Sequence, residues 1–416
     1  MGEAGGTWAG TYTYRAEKLH RPRSLPELQE IVATAPRVRV LGSRHSFTDI
    51  ADSAELVSLE ALRTTEALPA DVVVDRDAGT VSFGAGMKYG ELAEVLNDEG
   101  LALANLASLP HISVAGAVAT ATHGSGVGNG NLATAVAAME LVTSDGQLRR
   151  LARGDDDFPG AVVNLGALGA VTRLTLDVQP AYEVRQTVFE GLSWQALAGH
   201  FEEVVSAGYS VSVFTTLRDA VDQVWVKTRS AQAAPESLFD AHPATVDRHP
   251  ILGLDPVNCT PQLGRPGPWS ARLPYFRMGF TPSAGEELQS EYLVAREQAL
   301  PAIEAVRALA DRIRPVLHVC EIRTVAADRL WMSPEYERDS VGIHFTWALE
   351  PEAVADVLAE LEPALAPFDP RPHWGKLFLH APRYERVADF ARLAEGLDPR
   401  GAFRNAWLEA RVLGQS

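Results

Sequence analysis

Two short segments of this chain carry residue types that suit the binding of a large flat ligand with phosphate groups. Residues 39–47 (RVLGSRHSF) read as a strand that ends in a turn of small residues and presents one imidazole, His45. Residues 115–128 (AGAVATATHGSGVG) are mostly Gly, Ala, Ser and Thr. Small residues let the backbone approach a ligand closely, and glycine also adopts positive φ. Together the two segments predict a flavin site with an imidazole at its edge.

A short helix is expected after Ser113, at the start of the second segment. Serine is a preferred N-cap residue, and the free N–H groups of a first helical turn attract anions such as a pyrophosphate. The alternative is a flexible surface linker. The spacing of Val114, Val118 and Leu132 argues against a linker, because these apolar side chains need a core to pack against.

Two strands predicted later in the chain present polar pairs opposite apolar faces. Side chains alternate along a strand, so Glu321 and Arg323 share one face, as do His344 and Thr346. A half-exposed sheet explains one such strand equally well. Two of them favour a polar floor that binds a polyol, and Lys376, in the turn sequence RPHWGK, adds a cation beside an aromatic residue.

These residues are positioned by two predicted units, the second beginning near residue 181. Its predicted strands are residues 184–189, 211–215, 223–227, 277–280, 319–324 and 342–347, and its predicted helices include residues 291–313 and 352–361. Residues 230–274 hold eight prolines and little periodicity. A loop of that length inside a compact domain is usually functional or disordered, and we expect a rim or lid over the substrate pocket.

Composition narrows the classes of partner. A chain of 416 residues predicts two or three domains. The net charge of −17 repels nucleic acid and anionic lipid. The two cysteines lack metal-binding spacing and predict a reducing cytoplasm. No signal peptide and no apolar stretch long enough for a membrane span is recognisable. We therefore expect a cytoplasmic protein that binds neither nucleic acid, membrane nor metal.

Nicotinamide and P-loop chemistry fit the sequence less well. Gly84 and Gly86 follow a predicted strand, but the next glycine is Gly90, which misses the spacing of the dinucleotide fingerprint by one residue. The P-loop pattern of a nucleotide triphosphatase does not occur. The flavin interpretation is therefore preferred.

Six short motifs along the chain resemble those of a known family. They are residues 39–46 (RVLGSRHS), 105–116 (NLASLPHISVAG), 121–126 (ATHGSG), 321–323 (EIR), 372–376 (PHWGK) and 398–405 (DPRGAFRN). In this order and spacing, along nearly the whole chain, they resemble the vanillyl-alcohol-oxidase-type flavoproteins, and among these most closely the members that oxidise alditols. The gulonolactone-type lactone oxidases share several of these motifs and are the alternative.

The resemblance implies an α+β fold of two domains. Residues 1–180, completed by residues 376–416, would form the FAD-binding domain. Residues 181–375 would form a substrate-binding domain over an antiparallel sheet, and the protein would be a monomer.

The resemblance also implies the site residues. His45 aligns with the histidine that is bonded covalently to the flavin 8α-methyl group. The FAD-contact positions are Val40, Leu41, Gly42, Ser43, Arg44, His45, Ser46, Ser108, Ser113, Gly116, Thr120, Ala121, Thr122, His123, Val171 and His373. The polyol-contact positions are Ser108, Glu321, Arg323, Thr346 and Lys376, with His344 beside them. Arg44 departs from the family, because the alditol-oxidising members have glycine there.

The expected reaction is oxidation of the terminal hydroxyl of an alditol such as xylitol or sorbitol to the aldose. A hydride would pass to flavin N5, and O₂ would be reduced to H₂O₂. Arg323 and Lys376 would stabilise the developing alkoxide, and either His344 or Glu321 would take the proton, with His344 preferred. The small Ala107 resembles the residue thought to admit oxygen in this family.

Two other functions are weighed against this one. An aldonolactone oxidase would use the same polar residues in a flatter pocket. A flavoprotein that has lost turnover and serves as a binding module would be expected to lack a member of the polar set, and none is missing.

Overall fold

The computed structural model describes residues 5–62, 72–233, 235–279 and 287–415. The strands are β1 (Lys18–His20), β2 (Val38–Val40), β3 (Glu55–Val57), β4 (Val73–Asp75), β5 (Thr80–Gly84), β6 (Leu101–Ala102), β7 (Val136–Val142), β8 (Leu148–Ala152), β9 (Ala170–Asp177), β10 (Gln179–Pro180), β11 (Glu183–Glu190), β12 (Ser210–Thr215), β13 (Gln223–Arg229), β14 (His242–Pro243), β15 (Gly267–Pro268), β16 (Glu287–Ala295), β17 (Leu317–Val325), β18 (Ser340–Ala348) and β19 (Arg371–Pro372).

The α-helices are α1 (Leu25–Thr34), α2 (Tyr89–Asp98), α3 (Val114–Ala119), α4 (Phe158–Val162), α5 (Trp194–Gly199), α6 (Phe201–Val205), α7 (Ala299–Ala308), α8 (Ala310–Ile313), α9 (Pro351–Leu365), α10 (Val387–Leu397) and α11 (Ala406–Arg411). Short 3₁₀ turns cover Asp49–Ala51, Leu132–Ala135, Pro256–Asn258, Trp269–Ala271, Arg296–Gln298, Arg314–Val316, Ala366–Phe368 and Leu413–Gln415.

The strands of the described residues form separate sheets. Near the start, β1, β3 and β2 make a small parallel sheet in that order. An antiparallel sheet follows in the order β4-β5-β9-β7-β8, and β6 pairs with β10. The largest sheet is antiparallel, in the order β14-β11-β13-β12-β17-β18-β16-β19, with β15 beside β11. The fold is therefore α+β, as predicted.

The largest sheet buries an apolar face on its central strands. Ile343, Phe345 and Trp347 of β18 are fully buried, and the rings of Phe345 and Trp347 stack with centroids 4.8 Å apart. Because side chains alternate along a strand, His344 and Thr346 lie on the opposite face. The predicted alternation thus assigns the polar residues of β17 and β18 to one side of the sheet.

Two of the predicted elements are wrong. Residues 291–313 are not one helix, because residues up to Ala295 belong to β16 and α7 begins only at Ala299. Both faces of β16 are largely buried, so its apolar run Tyr292–Val294 resembles the continuation of the helical pattern that follows it. Residues 277–279 form no strand either, while Phe280 lies outside the described residues.

The end of the chain packs back against its beginning. The N–H of Val38 donates to the carbonyl of Ala402 at 2.8 Å. The buried guanidinium of Arg39 donates to the carbonyl of Phe403 at 2.8 Å and to that of Ile50 at 2.6 Å. None of the helices in the described ranges combines the length and hydropathy that a membrane span requires.

Candidate active site

A cavity of about 580 Å³ lies between the glycine-rich segments of the first part of the chain and the polar face of the largest sheet. The predicted site residues on its wall are Val40, Leu41, Gly42, Ser43, Arg44, His45, Ser46, Ser108, Ser113, Gly116, Thr120, Thr122, His123, Glu321, Arg323, His344, Thr346, His373 and Lys376. Ala121 and Val171 are not on the wall: Ala121 is fully buried, and Val171 packs beside a neighbouring apolar cluster.

His45 stands in a turn that follows β2. Arg44, just before it, has a φ of 65°, in the left-handed region that glycine adopts most readily. This backbone conformation explains why glycine would be favoured at this position in the family that the sequence resembles. The His45 ring stacks on Trp8 with centroids 5.1 Å apart, and the His111 ring lies 4.8 Å away. Burial, with help from His111 and Lys88, lowers the pKa of His45 to about 3. The imidazole is therefore neutral, with a free lone pair.

A cradle free of side chains lies beside this turn. A Cβ atom on Gly42 or Gly116 would stand 2.6 or 2.7 Å from Ser113 Oγ, so neither position has room for one. Ser113 is the N-cap of α3 by its backbone, but its hydroxyl does not cap the helix. Its N–H donates to Ser43 Oγ at 2.9 Å, so the predicted side-chain cap is wrong and the two serines join the segments instead. A backbone surface this bare fits the pyrophosphate and flat ring of FAD.

The polar floor is built by strand register. Glu291 of β16 pairs with His344 of β18, which in turn pairs with Glu321 of β17, so the three side chains form a row across the sheet. Arg323 lies opposite Gly342 in the next row. A Cβ atom on Gly342 would stand 3.0 Å from Glu291 Oε1. The missing side chain lets Arg323 Nη2 cross the strand and bind that oxygen at 2.7 Å.

Glu291 lines the cavity but is not among the predicted site residues, because it lies at the start of the wrongly predicted helix. Its carboxylate is fully buried, and Oε2 lies 2.5 Å from Lys376 Nζ while Oε1 lies 3.2 Å from His123 Nε2. Burial raises the pKa of Glu291, but Lys376, Arg323 and His123 outweigh it and hold the pKa well below its usual range. The carboxylate is thus the anion that fixes two cations in the floor.

A signal for this residue does exist in the sequence. Glu287, Gln289 and Glu291 alternate with apolar or small residues at the period of a strand, and all three line the cavity. The strong helical periodicity of the residues that follow obscures this short pattern.

Lys376 connects the floor to an imidazole. Its Nζ donates to His344 Nδ1 at 2.8 Å, and His344 Nε2 lies 3.2 Å from Thr346 Oγ1. Burial lowers the pKa of Lys376, partly offset by Glu291. Burial and the nearby Lys376 lower the pKa of His344 to about 4, so this imidazole is neutral at neutral pH.

The last wall comes from the proline-rich segment and the residues after it. His249, Ile251 and Leu254 line the cavity, as expected for a rim. Tyr275, which is not among the predicted site residues, donates a hydrogen bond from its hydroxyl to Glu321. Glu321 Oε1 also lies 3.4 Å from Arg323 Nε.

The floor is close to electrically balanced. The carboxylates of Glu291 and Glu321 offset the cations of Arg323 and Lys376, and each charge has a partner, which offsets the cost of burying it. Such a surface offers many hydrogen-bond donors and acceptors with little net charge. It suits a neutral ligand rich in hydroxyl groups.

Comparisons with known proteins agree with this arrangement. Residues 16–152 match the family model described as FAD binding domain, and residues 285–411 match that of D-arabinono-1,4-lactone oxidase. The chain is 51% identical to alditol oxidase from a Streptomyces species, over 98% of this chain and 99% of that protein. It is 27% identical to L-gulono-1,4-lactone dehydrogenase of Mycobacterium tuberculosis, over 98% of each chain.

Among solved structures, a cholesterol oxidase from B. sterolicum superposes with a TM-score of 0.77 at 14% identity, covering 99% of this chain and 97% of that one. That similarity supports the predicted two-domain α+β flavoprotein fold, and the FAD-binding match supports the predicted cofactor. On the strength of its 51% identity to a full-length relative, the chain belongs to the vanillyl-alcohol-oxidase-type family of FAD-linked oxidoreductases.

Proposed function

We propose that the protein oxidises the terminal hydroxyl of alditols such as xylitol and sorbitol to the aldose, with O₂ as the acceptor. The observation that carries the proposal is the balanced polar floor, which faces the FAD-binding segments across one cavity. The identity to a Streptomyces alditol oxidase supports the substrate class.

The chemistry that bound FAD would supply is acceptance of a hydride from the carbinol carbon at N5, with O₂ as the final two-electron acceptor and H₂O₂ as its product. Gly42, Ser113 and Gly116 would hold the cofactor against bare backbone. His45, whose neutral imidazole keeps a nitrogen lone pair, would be the residue that holds FAD covalently through the 8α-methyl group. Ala107 lines the cavity with a single methyl group, which leaves room for oxygen.

The substrate would be held by hydrogen bonds from several walls. Glu321 accepts from hydroxyl groups, Thr346 and Ser108 donate or accept, and Lys376 donates. These residues line one cavity, although they lie far apart in the sequence. A polyol, with hydroxyl groups on adjacent carbons, can pair with this row of donors and acceptors, whereas an apolar alcohol would leave most of them unpaired.

The alcohol must lose its proton, which is held about as tightly as that of water, with a pKa of roughly 15.7. Arg323 and Lys376 would stabilise the alkoxide, and one well-placed donor is typically worth about 10²–10³ in rate. We assign the proton to His344, which is neutral and lies beside Lys376. The Glu321 carboxylate accepts from Tyr275 and faces Arg323, so it already serves to hold those two side chains.

An aldonolactone oxidase is the second candidate. Its specific support is the match of residues 285–411, which include Glu291, Glu321 and Lys376, to the D-arabinono-1,4-lactone oxidase model. Lactone-acting relatives that match over nearly the whole chain are more distant, for example at 27% and 24% identity.

We further propose a cytoplasmic monomer with the domain division at residues 180 and 375. Both Cys259 and Cys320 are free and buried, which suits a reducing compartment.

Two experiments test the proposal. Anaerobic mixing with xylitol or sorbitol should bleach the visible absorbance of the bound flavin, and absence of bleaching with any alditol would reject the substrate class. Acid precipitation should give a yellow pellet from wild-type protein and a colourless pellet from the His45→Ala variant. A colourless wild-type pellet would reject the covalent bond while leaving the oxidation intact.

A further inference from the structure

Tyr275 contacts the polar floor from a segment that carries none of the family motifs. The residue is 6% exposed, and its side chain lines the cavity. Its hydroxyl donates to Glu321 Oε1 and lies 2.5 Å from Ser212 Oγ. A buried phenol held between a carboxylate and a serine has its hydroxyl direction fixed.

The backbone of Tyr275 reaches a second wall of the same site. Its N–H donates to the carbonyl of Ser108 at 3.1 Å, and its own carbonyl accepts from the N–H of Thr260 at 2.8 Å. One residue therefore connects Ser108, on the flavin side of the cavity, with Glu321, on the sheet side.

The ring of Tyr275 is held in place by its neighbours. Lys227 Nζ lies 4.3 Å from the ring centroid and donates to the carbonyl of Leu273. The rings of Phe214 and Trp225 each stand edge-on with centroids 5.4 Å away. Two aromatic edges and the buried amine of Lys227 pack around the ring, so the hydroxyl is presented by a rigid support.

The two carboxylate oxygens of Glu321 have different contacts. In the described residues, Tyr275 and Arg323 both meet Oε1. A carboxylate has about four lone-pair sites, two on each oxygen. The sites on Oε2 therefore stay available to accept hydrogen bonds from the hydroxyl groups of a substrate. Because Oε1 is anchored, the carboxylate does not need to be ordered when substrate binds, and the cost of binding falls.

We propose that Tyr275 is a positioning residue that fixes the Glu321 carboxylate and thereby sets the affinity for the polyol. The inference rests on the proposed function, since it takes Glu321 as a ligand of the substrate hydroxyl groups. Tyr275 acts through Glu321 and Ser108 and takes no part in the transfer itself.

The Tyr275→Phe variant of the FAD-loaded enzyme tests the proposal, because it keeps the ring over Lys227 and removes the hydroxyl. A hydrogen bond to a charged group predicts that KM for xylitol rises by about tenfold to a hundredfold, while kcat changes far less. Flavin content and the flavin spectrum should match the wild type. A KM within twofold of the wild-type value would overturn the proposal.

Tyr292→Phe is the matched control. The Tyr292 hydroxyl donates to Glu362 at 2.7 Å, so the change also removes a buried tyrosine–glutamate bond, but on the opposite side of the same sheet. It should lower stability and leave KM unchanged. An equal rise of KM in both variants would show a general structural effect and overturn the proposal.

If the Tyr275→Phe variant loads FAD poorly, the Ser212→Ala variant tests the same proposal. It removes the second hydrogen-bond partner of the Tyr275 hydroxyl and leaves the phenol in place. KM should then rise by about threefold, the effect of a neutral hydrogen bond, and an unchanged KM would overturn the proposal. A wild-type enzyme that oxidises lactones and no alditol would reject the proposed function instead, independently of either variant.

Discussion

In the proposed reaction, Lys376 is the more accessible of the two cations in the floor. Its side chain is 13% exposed, against 5% for Arg323, and Glu291 and His344 hold its ammonium group in position. Replacing Lys376 with Met keeps most of the volume and removes the charge. We expect kcat to fall by about 10²–10³, the usual effect of losing one preorganised donor, with the flavin spectrum intact. Unchanged turnover would remove Lys376 from the reaction.

The depressed pKa of His344 predicts the acid side of the pH profile. Only the neutral imidazole accepts a proton, and burial together with Lys376 lowers its pKa to about 4. If His344 is the base, as proposed, it stays competent down to about pH 4, and kcat/KM should decline below that pH rather than near 6.5, the ordinary pKa of histidine.

The Lys376→Met variant supplies the control for this profile. Without the nearby ammonium charge the pKa of His344 should rise, which moves the acid limb of kcat/KM to higher pH. A wild-type limb between pH 6 and 7 would contradict the assignment of His344.

At the residue scale, alternation along a strand is sufficient to predict the polar residues of the floor on β17 and β18. Glu321 and Arg323 share one face of their strand, His344 and Thr346 share one face of theirs, and the opposite faces are apolar. Glu291 could not be found in the same manner, since the helical pattern after residue 299 extends backwards over it. Tyr275 follows a segment without periodicity, so only the folded chain shows what its hydroxyl contacts.

The strand register explains why the floor depends on a glycine. Arg323 reaches Glu291 across Gly342, where a Cβ atom would stand 3.0 Å from Glu291 Oε1. Gly342→Ala should therefore weaken this ion pair, and we expect kcat/KM to fall by about tenfold or more, the effect of a lost charged hydrogen bond. Steady-state kinetics on the FAD-loaded variant measures it.

Gly396→Ala is the control at the scale of the element, since nothing lies within 4 Å of the position of its Cβ on α10. It should raise stability by about 0.5–1 kcal/mol and leave kcat/KM unchanged. If Gly342→Ala also left kcat/KM unchanged, the ion pair between Arg323 and Glu291 across β18 would have no part in the reaction.

The elements themselves were predicted unevenly. The strands around residues 184–189, 319–324 and 342–347 are present because β-branched and aromatic residues alternate there or form buried runs. The second half of β16, from residue 291, reads as the start of a helix because its buried apolar run Tyr292–Val294 leads directly into the helical pattern of α7.

At the scale of the whole molecule, a cluster of buried polar residues joins the glycine-rich segment to the loop between β17 and β18. Asn131 Nδ2 donates to Asp328 Oδ2 at 2.7 Å and to Glu335 Oε2 at 2.9 Å, and Ser333 Oγ lies within hydrogen-bond distance of both carboxylates. Burial, reinforced by the charge of Glu335, raises the pKa of Asp328 to about 7.

This raised pKa fixes the sign of a stability prediction. A carboxyl group whose pKa is higher in the folded state stabilises the fold below its unfolded value and loses that stability as pH rises through about 7. Glu335→Gln removes the like charge and keeps an oxygen for Asn131 and Ser333. Its Tm should therefore exceed that of the wild type by an amount that grows from pH 5 to pH 8, measured on FAD-loaded protein. A difference independent of pH would contradict this account.

The convergence of the site is a property of the whole chain that spacing alone does not predict. His45, Ser108, Glu291, His344 and Lys376 lie far apart in sequence, yet they line one cavity. A family resemblance in motif order predicts that His45, Ser108, His344 and Lys376 belong together, but it does not include Glu291. The partners within the group, such as Lys376 with Glu291, follow only from strand register and burial.

The proposed reaction is tested most directly by peroxide release in air. The kcat/KM for xylitol and sorbitol should be compared with that for L-gulono-1,4-lactone, each over a range of concentrations. We predict a higher kcat/KM for the open-chain polyols. A higher value for the lactone would contradict the alditol assignment and make the protein an aldonolactone oxidase that uses the same polar floor.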